Sequence, residues 1–237
     1  MAPTALNNHL TVRNLACVRG ERVLFKHLSF ELNSGKLLFV QGENGSGKTS
    51  LLRTLAGLSL PTIGDIDWNT QTIKILAEDY YGQVLYIGHL ASIKDELSPV
   101  ENIQFALSLS GYRVDRSQVV GALDTLGVGR CADLPSRVLS QGQKRRIALA
   151  QLWLQDDPAL IPLWVLDEPF TALDISMVEK LTQHIEKYVT SGGMVVFTSH
   201  QIPSFDVSLI QDLIFERSSL HAFLACATIL SPHLFAA

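Results

Sequence analysis

KLLFVQGENGSGKTSLL, residues 36–52, decides the fold. Leu37 to Val40 is a short apolar run of the kind that forms a buried strand. It stops at Gly42, and apolar residues resume at Leu51 and Leu52. The segment between matches G-x-x-x-x-G-K-[ST], and its setting between a strand and a helix is the one a phosphate-binding loop requires. Gly42, Glu43, Asn44, Gly45, Ser46, Gly47, Lys48, Thr49 and Ser50 are the expected loop residues. The glycines let backbone amides turn inward around phosphate oxygens, Lys48 reaches the outer phosphates, and the Thr49 hydroxyl ligates Mg²⁺. The implied ligands are therefore ATP and Mg²⁺.

Three further apolar runs read as parallel strands: VLYIGH at 84–89, LWVLDEP at 163–169 and MVVFTSH at 194–200. Helical spacing separates them, for example Val178, Leu181, Ile185 and Val189. Strand–helix alternation predicts an α/β fold with a parallel sheet. Leu28, Phe30 and Leu32 alternate with polar positions, as in a half-buried antiparallel strand. Ser98-Pro99-Val100-Glu101 is a capping box with Pro at the first helical position, so a helix is expected from there. Gly111, Gly121, Gly127 and Gly129 are expected to divide the following region into short helices. Residues 92–140 read as a helical subdomain inserted into the core, within one domain spanning 1–217. The tail, 218–237, carries no Lys, Arg, Asp or Glu. Its apolar run is shorter than the ~20 residues a membrane-spanning helix needs, so a helix packed on the body is expected.

The ends of two strands carry further chemistry. Asp167 closes one, where a carboxylate can hold Mg²⁺ beside the phosphate loop, and Glu168 is placed to position or deprotonate water. A helix cap is the competing structural reading for this pair. His200 ends the neighbouring strand, with its tip toward the γ-phosphate. VLSQGQKRRIALAQLWL, 138–154, raises a separate question. From Ile147 onward it reads as helix, yet Lys144, Arg145 and Arg146 crowd its first turn. Cations have the wrong sign for the positive end of a helix dipole, so an anion is expected there.

Bulk composition narrows the classes. With 237 residues the chain needs neither disulfides nor a structural metal for stability. Charged residues make up 18%, below the ~25% usual, which suits large buried faces or an apolar partner. Net charge is −4, so no nucleic-acid partner is indicated. Cys17, Cys131 and Cys226 are odd in number and contain no C-x-x-C, which fits a reducing compartment. MAPTALNNHL has neither the basic start nor the apolar centre of a secretory signal, and none is expected.

Phosphate loop, L-S-x-G-Q, hydrophobic-D-E-P, T-A-L-D and S-H follow one another in the order of ABC ATPases, and residues 9–205 resemble that family. The resemblance implies a phosphate-loop NTPase fold with an antiparallel β subdomain and a helical insert. It also implies a homodimer in which two copies face head to tail. Ser140, Gly142 and Gln143 would close over the nucleotide bound by the other copy's Lys48, so the awaited anion arrives in trans. Lys144, Arg145 and Arg146 need not all touch it; pairing with local carboxylates is expected for at least two of them. Asp174 would lie at the same interface, as helix cap and as link between the sites. CVRGERVLF (17–25), GHLASIKDEL (88–97), RIALAQLWL (146–154) and PLWVLDEPFTALD (162–174) look like the ATP-binding subunits of cytochrome c maturation. That likeness implies integral membrane partners of the CcmB and CcmC type, heme as an indirect substrate, and a peripheral place on the cytoplasmic face of the bacterial inner membrane, or on the matrix side of the mitochondrial one.

The sequence departs from the wider pattern in three places. Leu90 stands where ABC ATPases carry a Gln near the metal, and Gln83 lies too early to replace it. Arg19 stands where an aromatic stacks on adenine, and a guanidinium can stack on a base. Gln141 replaces the middle Gly of the signature. Other readings stay open: another ABC exporter's ATP-binding subunit, a non-transport ABC ATPase, a phosphate-loop switch or kinase, and a catalytically weak ATP-binding scaffold.

Overall fold

The phosphate-loop strand lies inside a parallel sheet, flanked on both sides. In this computed structural model residues 7–200 and 203–215 are described. The elements are β1 (His9–Arg19), β2 (Arg22–Asn33), β3 (Leu37–Gly42), α1 (Lys48–Leu55), β4 (Ile63–Trp68), β5 (Gln71–Thr72), the single-turn helices α2 (Ile73–Leu76) and α3 (Glu78–Tyr81), and β6 (Val84–Ile87). After them come α4 (Pro99–Leu109), α5 (Arg116–Thr125), α6 (Gln141–Leu154), β7 (Leu163–Asp167), α7 (Ile175–Thr190), β8 (Met194–Thr198) and β9 (Ile210–Phe215). The parallel sheet runs β6-β7-β8-β3-β9, and a second, antiparallel sheet runs β2-β1-β4-β5.

All four predicted parallel strands are in the first sheet. Alternate side chains of a strand point to opposite faces, so each strand feeds two cores. Leu37, Phe39, Trp164, Leu166, Val195 and Phe197 face α4 to α7. Leu38, Val40, Leu163, Val165, Met194 and Val196 face α1 and the antiparallel sheet. Burial on both faces is why β7 and β8 read as unbroken apolar runs. Phe39 stacks on Phe197 at 4.8 Å between ring centroids, tying β3 to β8. Leu28, Phe30 and Leu32 belong to β2, paired with β1.

The insert holds α4, α5 and two short 3₁₀ turns. The expected capping box starts α4: the Ser98 hydroxyl accepts from the Glu101 amide, and the Glu101 carboxylate accepts from the Ser98 amide at 2.8 Å. Gly121 does not divide the region. It lies within α5, because one glycine costs a helix only about 1 kcal/mol relative to Ala. Gly127 does end that helix region, at φ +69°. Helix α6 begins at Gln141, earlier than the apolar pattern indicates, because Ser140 and Gln143 form another capping box. The apolar tail, 218–237, lies outside the described residues. Among the described residues no helix is long and apolar enough to cross a membrane.

Candidate functional site

The carboxyl ends of parallel strands collect ligands in open α/β sheets, and here β3, β7 and β8 end together. Gly47 sits at φ +110° as the N-cap of α1, and Gly45 at φ +75°. Both conformations are strained for residues with a Cβ, which explains glycine at each. They turn the loop so that the first amides of α1 face outward, a ready anion site. Lys48 is 9% exposed and donates from Nζ to the carbonyls of Gly42 and Glu43 at 2.6 and 3.0 Å.

Asp167 and Glu168 follow at the end of β7. Strands β7 and β8 are parallel neighbours with Asp167 opposite Thr198. The Thr198 hydroxyl donates to Asp167 Oδ1 at 2.8 Å and accepts from the Glu168 amide at 2.9 Å. Glu168 adopts φ +52°, a left-handed conformation that costs of order 1–3 kcal/mol for a residue other than glycine. That turn swings its carboxylate away from Asp167 and toward β8. Glu168 Oε2 accepts from the His200 amide at 3.1 Å, and Oε1 lies 3.5 Å from the imidazole Nε2.

Asp167 is 2% exposed, and its Oδ2 has no hydrogen-bond partner among the described residues. A buried carboxylate oxygen left without a partner is costly, and a hard cation satisfies it. Among the described residues no three His, Cys, Asp or Glu side chains cluster as a metal site. Such a sparse donor set fits Mg²⁺, which keeps waters and substrate phosphates as ligands.

These groups surround one cavity of about 400 Å³. Asn44, Gly45, Gly47, Lys48, Thr49 and Ser50 line it from the loop, and Asp167, Glu168 and His200 from the strand ends. Gly42, Glu43 and Ser46 support the loop without lining the cavity. Two residues that the sequence did not single out for this site also line it, Leu24 and His89. Arg19, expected to stack on a base, is an exposed residue at the end of β1 and is not part of this wall. Leu24 lines the cavity, whereas pairing with β1 puts Arg19 at the hairpin turn, opposite Arg22. Leu90 is 78% exposed and off the cavity, whereas its neighbour His89 is on it. Gln83 is engaged elsewhere, accepting from Trp68 Nε1 at 3.0 Å and donating to the Asp79 carbonyl.

Ser140, Gly142, Gln143 and Asp174 lie outside this cavity. Ser140 and Gln143 cap α6 reciprocally, and a Cβ on Gly142 would stand 3.1 Å from the Ala172 carbonyl. Asp174 caps α7, accepting from the Met177 amide at 3.0 Å. The Ser176 hydroxyl and that amide hold its carboxyl below the usual range. Two of the three cations find local carboxylates, as expected: Lys144 pairs with Asp95 at 2.5 Å and Arg146 with Asp174. Arg145 is 4% exposed and forms no ion pair with a carboxylate among the described residues. It donates to the carbonyls of Gly88, Asp167 and Glu168 at 2.7, 2.9 and 2.7 Å.

Comparison with known proteins identifies the family. The ABC transporter family profile matches residues 25–171. The cytochrome c biogenesis ATP-binding export protein CcmA of Nitrosomonas europaea is 50% identical over 192 residues, 81% of this chain and 88% of that protein. The protein of the same name from Haemophilus ducreyi is 47% identical over 194 residues, 82% of this chain and 90% of that one. Among solved structures, the ATP-binding cassette MJ0796, in a dimeric post-hydrolysis state with ADP and Pi, superposes with a TM-score of 0.72 at 22% identity, covering 88% of this chain and 97% of that one. A putative ABC transporter ATP-binding protein from Pyrococcus furiosus gives 0.70 at 24% identity, covering 86% and 97%. Those last two likenesses speak to the fold, and the first three to descent: the chain belongs to the ABC transporter family, as one of its ATP-binding cassettes.

Proposed function

We propose that the chain is the ATP-hydrolysing, energy-coupling subunit of an ABC transporter complex serving heme handling in c-type cytochrome biogenesis, a translocase-class ATPase. One observation carries the mechanism. The cavity gathers the phosphate loop, Asp167, Glu168 and His200, while Ser140 and Gly142 lie off it. A single copy then holds half of each reaction centre, and a second copy, head to tail, supplies the signature helix.

In this reading the loop amides and Lys48 bind the phosphates of ATP, and Leu24 covers the base side. Thr49 and Asp167 would hold Mg²⁺, which would neutralise charge on the phosphates. Glu168 accepts the proton of the attacking water. The His200 amide and imidazole fix that carboxylate, and Thr198 fixes the peptide that carries it. The start of the partner's α6, with Ser140, Gly142 and Gln143, closes over the γ-phosphate, where helix amides favour negative charge. Asp174 sits at the same contact. The names of the Nitrosomonas europaea and Haemophilus ducreyi relatives support the assignment to cytochrome c biogenesis. The helical segment 92–140 and exposed Leu90 form the face offered to CcmB- and CcmC-type membrane subunits on the cytoplasmic side of the inner membrane. Residues 1–217 act as one nucleotide-binding domain.

The test is co-purification from native membranes together with ATPase assay. Recovery with an integral membrane subunit of the cytochrome c system, and turnover abolished by Lys48→Ala, are the expected results. A chain that purifies without membrane partners and with ribosomes or DNA would instead mark a non-transport ABC ATPase.

A further inference from the structure

Arg145 answers a question the other two cations of its turn do not. Lys144 and Arg146 take local carboxylates on the surface. Arg145 points inward and spreads its guanidinium over two separate loops. Nη1 donates to the Gly88 carbonyl at 2.7 Å and to that of His89 at 3.4 Å, just beyond β6. Nη2 donates to the carbonyls of Asp167 and Glu168 at 2.9 and 2.7 Å, at the end of β7. One planar, rigid group thus fixes the position of His89, Asp167 and Glu168, three residues of the cavity wall. Its Nε has no partner among the described residues, so the contact serves these two loops.

The helix that carries Arg145 starts at the signature. Ser140 caps α6, and Arg145 follows five residues later, about 8 Å along the axis. The helix body is locked into the core by Ile147, Leu149 and Leu152, all fully buried. A push on the capped end reaches Arg145 through one continuous, hydrogen-bonded segment.

We propose that Arg145 is a positioning residue that couples the two reaction centres of the dimer. This rests on the head-to-tail reading given above. When the start of α6 engages nucleotide on a second copy, the shift passes through Arg145 to the peptide of Glu168 and to the loop of His89 in its own copy. Each centre then becomes competent only when its neighbour's nucleotide is held. Arg145 touches neither substrate nor metal; it acts through the carbonyls of the residues that do. Lysine at this position keeps the charge but offers donors from a single nitrogen, which cannot span both loops.

The test compares the native full-length chain with Arg145→Lys and Arg145→Gln, using Mg-ATP. Three quantities are read: the Hill coefficient of hydrolysis, kcat, and the affinity of each chain for a fluorescent ATP analogue. Thermal melting checks the fold. For Arg145→Lys the Hill coefficient is expected to fall from about 2 toward 1, and kcat by roughly 5- to 150-fold, the usual span of a coupling free energy. Nucleotide affinity stays close to native; the melting temperature falls, because buried carbonyls lose their donor, but the fold is kept. Arg145→Gln, with one planar amide, is expected to give the same loss and serves if the Lys variant folds poorly. An unchanged Hill coefficient in a folded variant overturns the proposal, whether or not kcat falls. Loss of the fold in both variants also overturns it, since Arg145 is then a structural rivet. A native chain that neither binds nor hydrolyses ATP would instead overturn the functional reading on which the proposal stands.

Discussion

Thr198 serves two neighbours at once, and its loss should be felt in both. Its hydroxyl donates to Asp167 and accepts from the Glu168 amide, fully buried. Thr198→Val keeps the shape and leaves two buried polar groups unpaired, at a cost of about 1–3 kcal/mol for such a group. We expect a lower melting temperature and a reduced kcat, read by calorimetry and steady-state kinetics. Glu168→Gln makes a different prediction. Removing the proposed general base is expected to cost about 10²–10⁴ in rate, while ATP affinity holds, because the loop amides and Lys48 are untouched. Equilibrium binding beside turnover separates the two effects. Asp167, Glu168 and His200 are recognisable in the sequence because carboxylates and an imidazole end apolar runs. Thr198 and Arg145 are not, since their partners are 30 and 22 or more positions away and mostly backbone.

At the scale of elements, caps set where helices begin. Ser98 and Glu101 close the start of α4, so Ser98→Ala should destabilise by about 1 kcal/mol, measured by denaturant unfolding. The cap of α7 predicts a pH effect. Asp174 has its carboxyl held below the ordinary range by Ser176 and the Met177 amide. A depressed value means the folded form favours the ionised carboxylate. That contribution is present above the unfolded value, about 3.9, and is lost as pH falls through the lower folded one. Asp174→Asn should therefore flatten the acid side of the stability profile, read as melting temperature against pH. The apolar runs made the parallel strands legible because those strands are buried on both faces. The apolar spacing of α6 marks it only from Ile147, since its first turns are polar; its start at Gln141 is held by Ser140 and Gln143.

At the scale of the whole molecule, the cavity and the signature helix occupy different places on one chain. Mg-ATP should therefore drive pairing. Glu168→Gln with saturating Mg-ATP is expected to elute as a dimer in size-exclusion chromatography with light scattering, and as a monomer without nucleotide. A variant that stays monomeric when ATP is bound would count against composite sites. Adding Ser140→Ala to Glu168→Gln should weaken the dimer, because the cap and the partner contact are lost together.

The sequence by itself determined the phosphate loop, the parallel strands around it and the carboxylates at their ends, because each rests on local chemistry: glycine torsions, burial on two faces, and a charge at a strand terminus. Only the tertiary structure decided what stands beside the loop. Strand pairing put Leu24 and not Arg19 on the cavity wall, turned His89 inward and Leu90 outward, and buried Arg145 between two loops. Those outcomes depend on register and on contacts between distant segments, and no spacing within a short stretch encodes them.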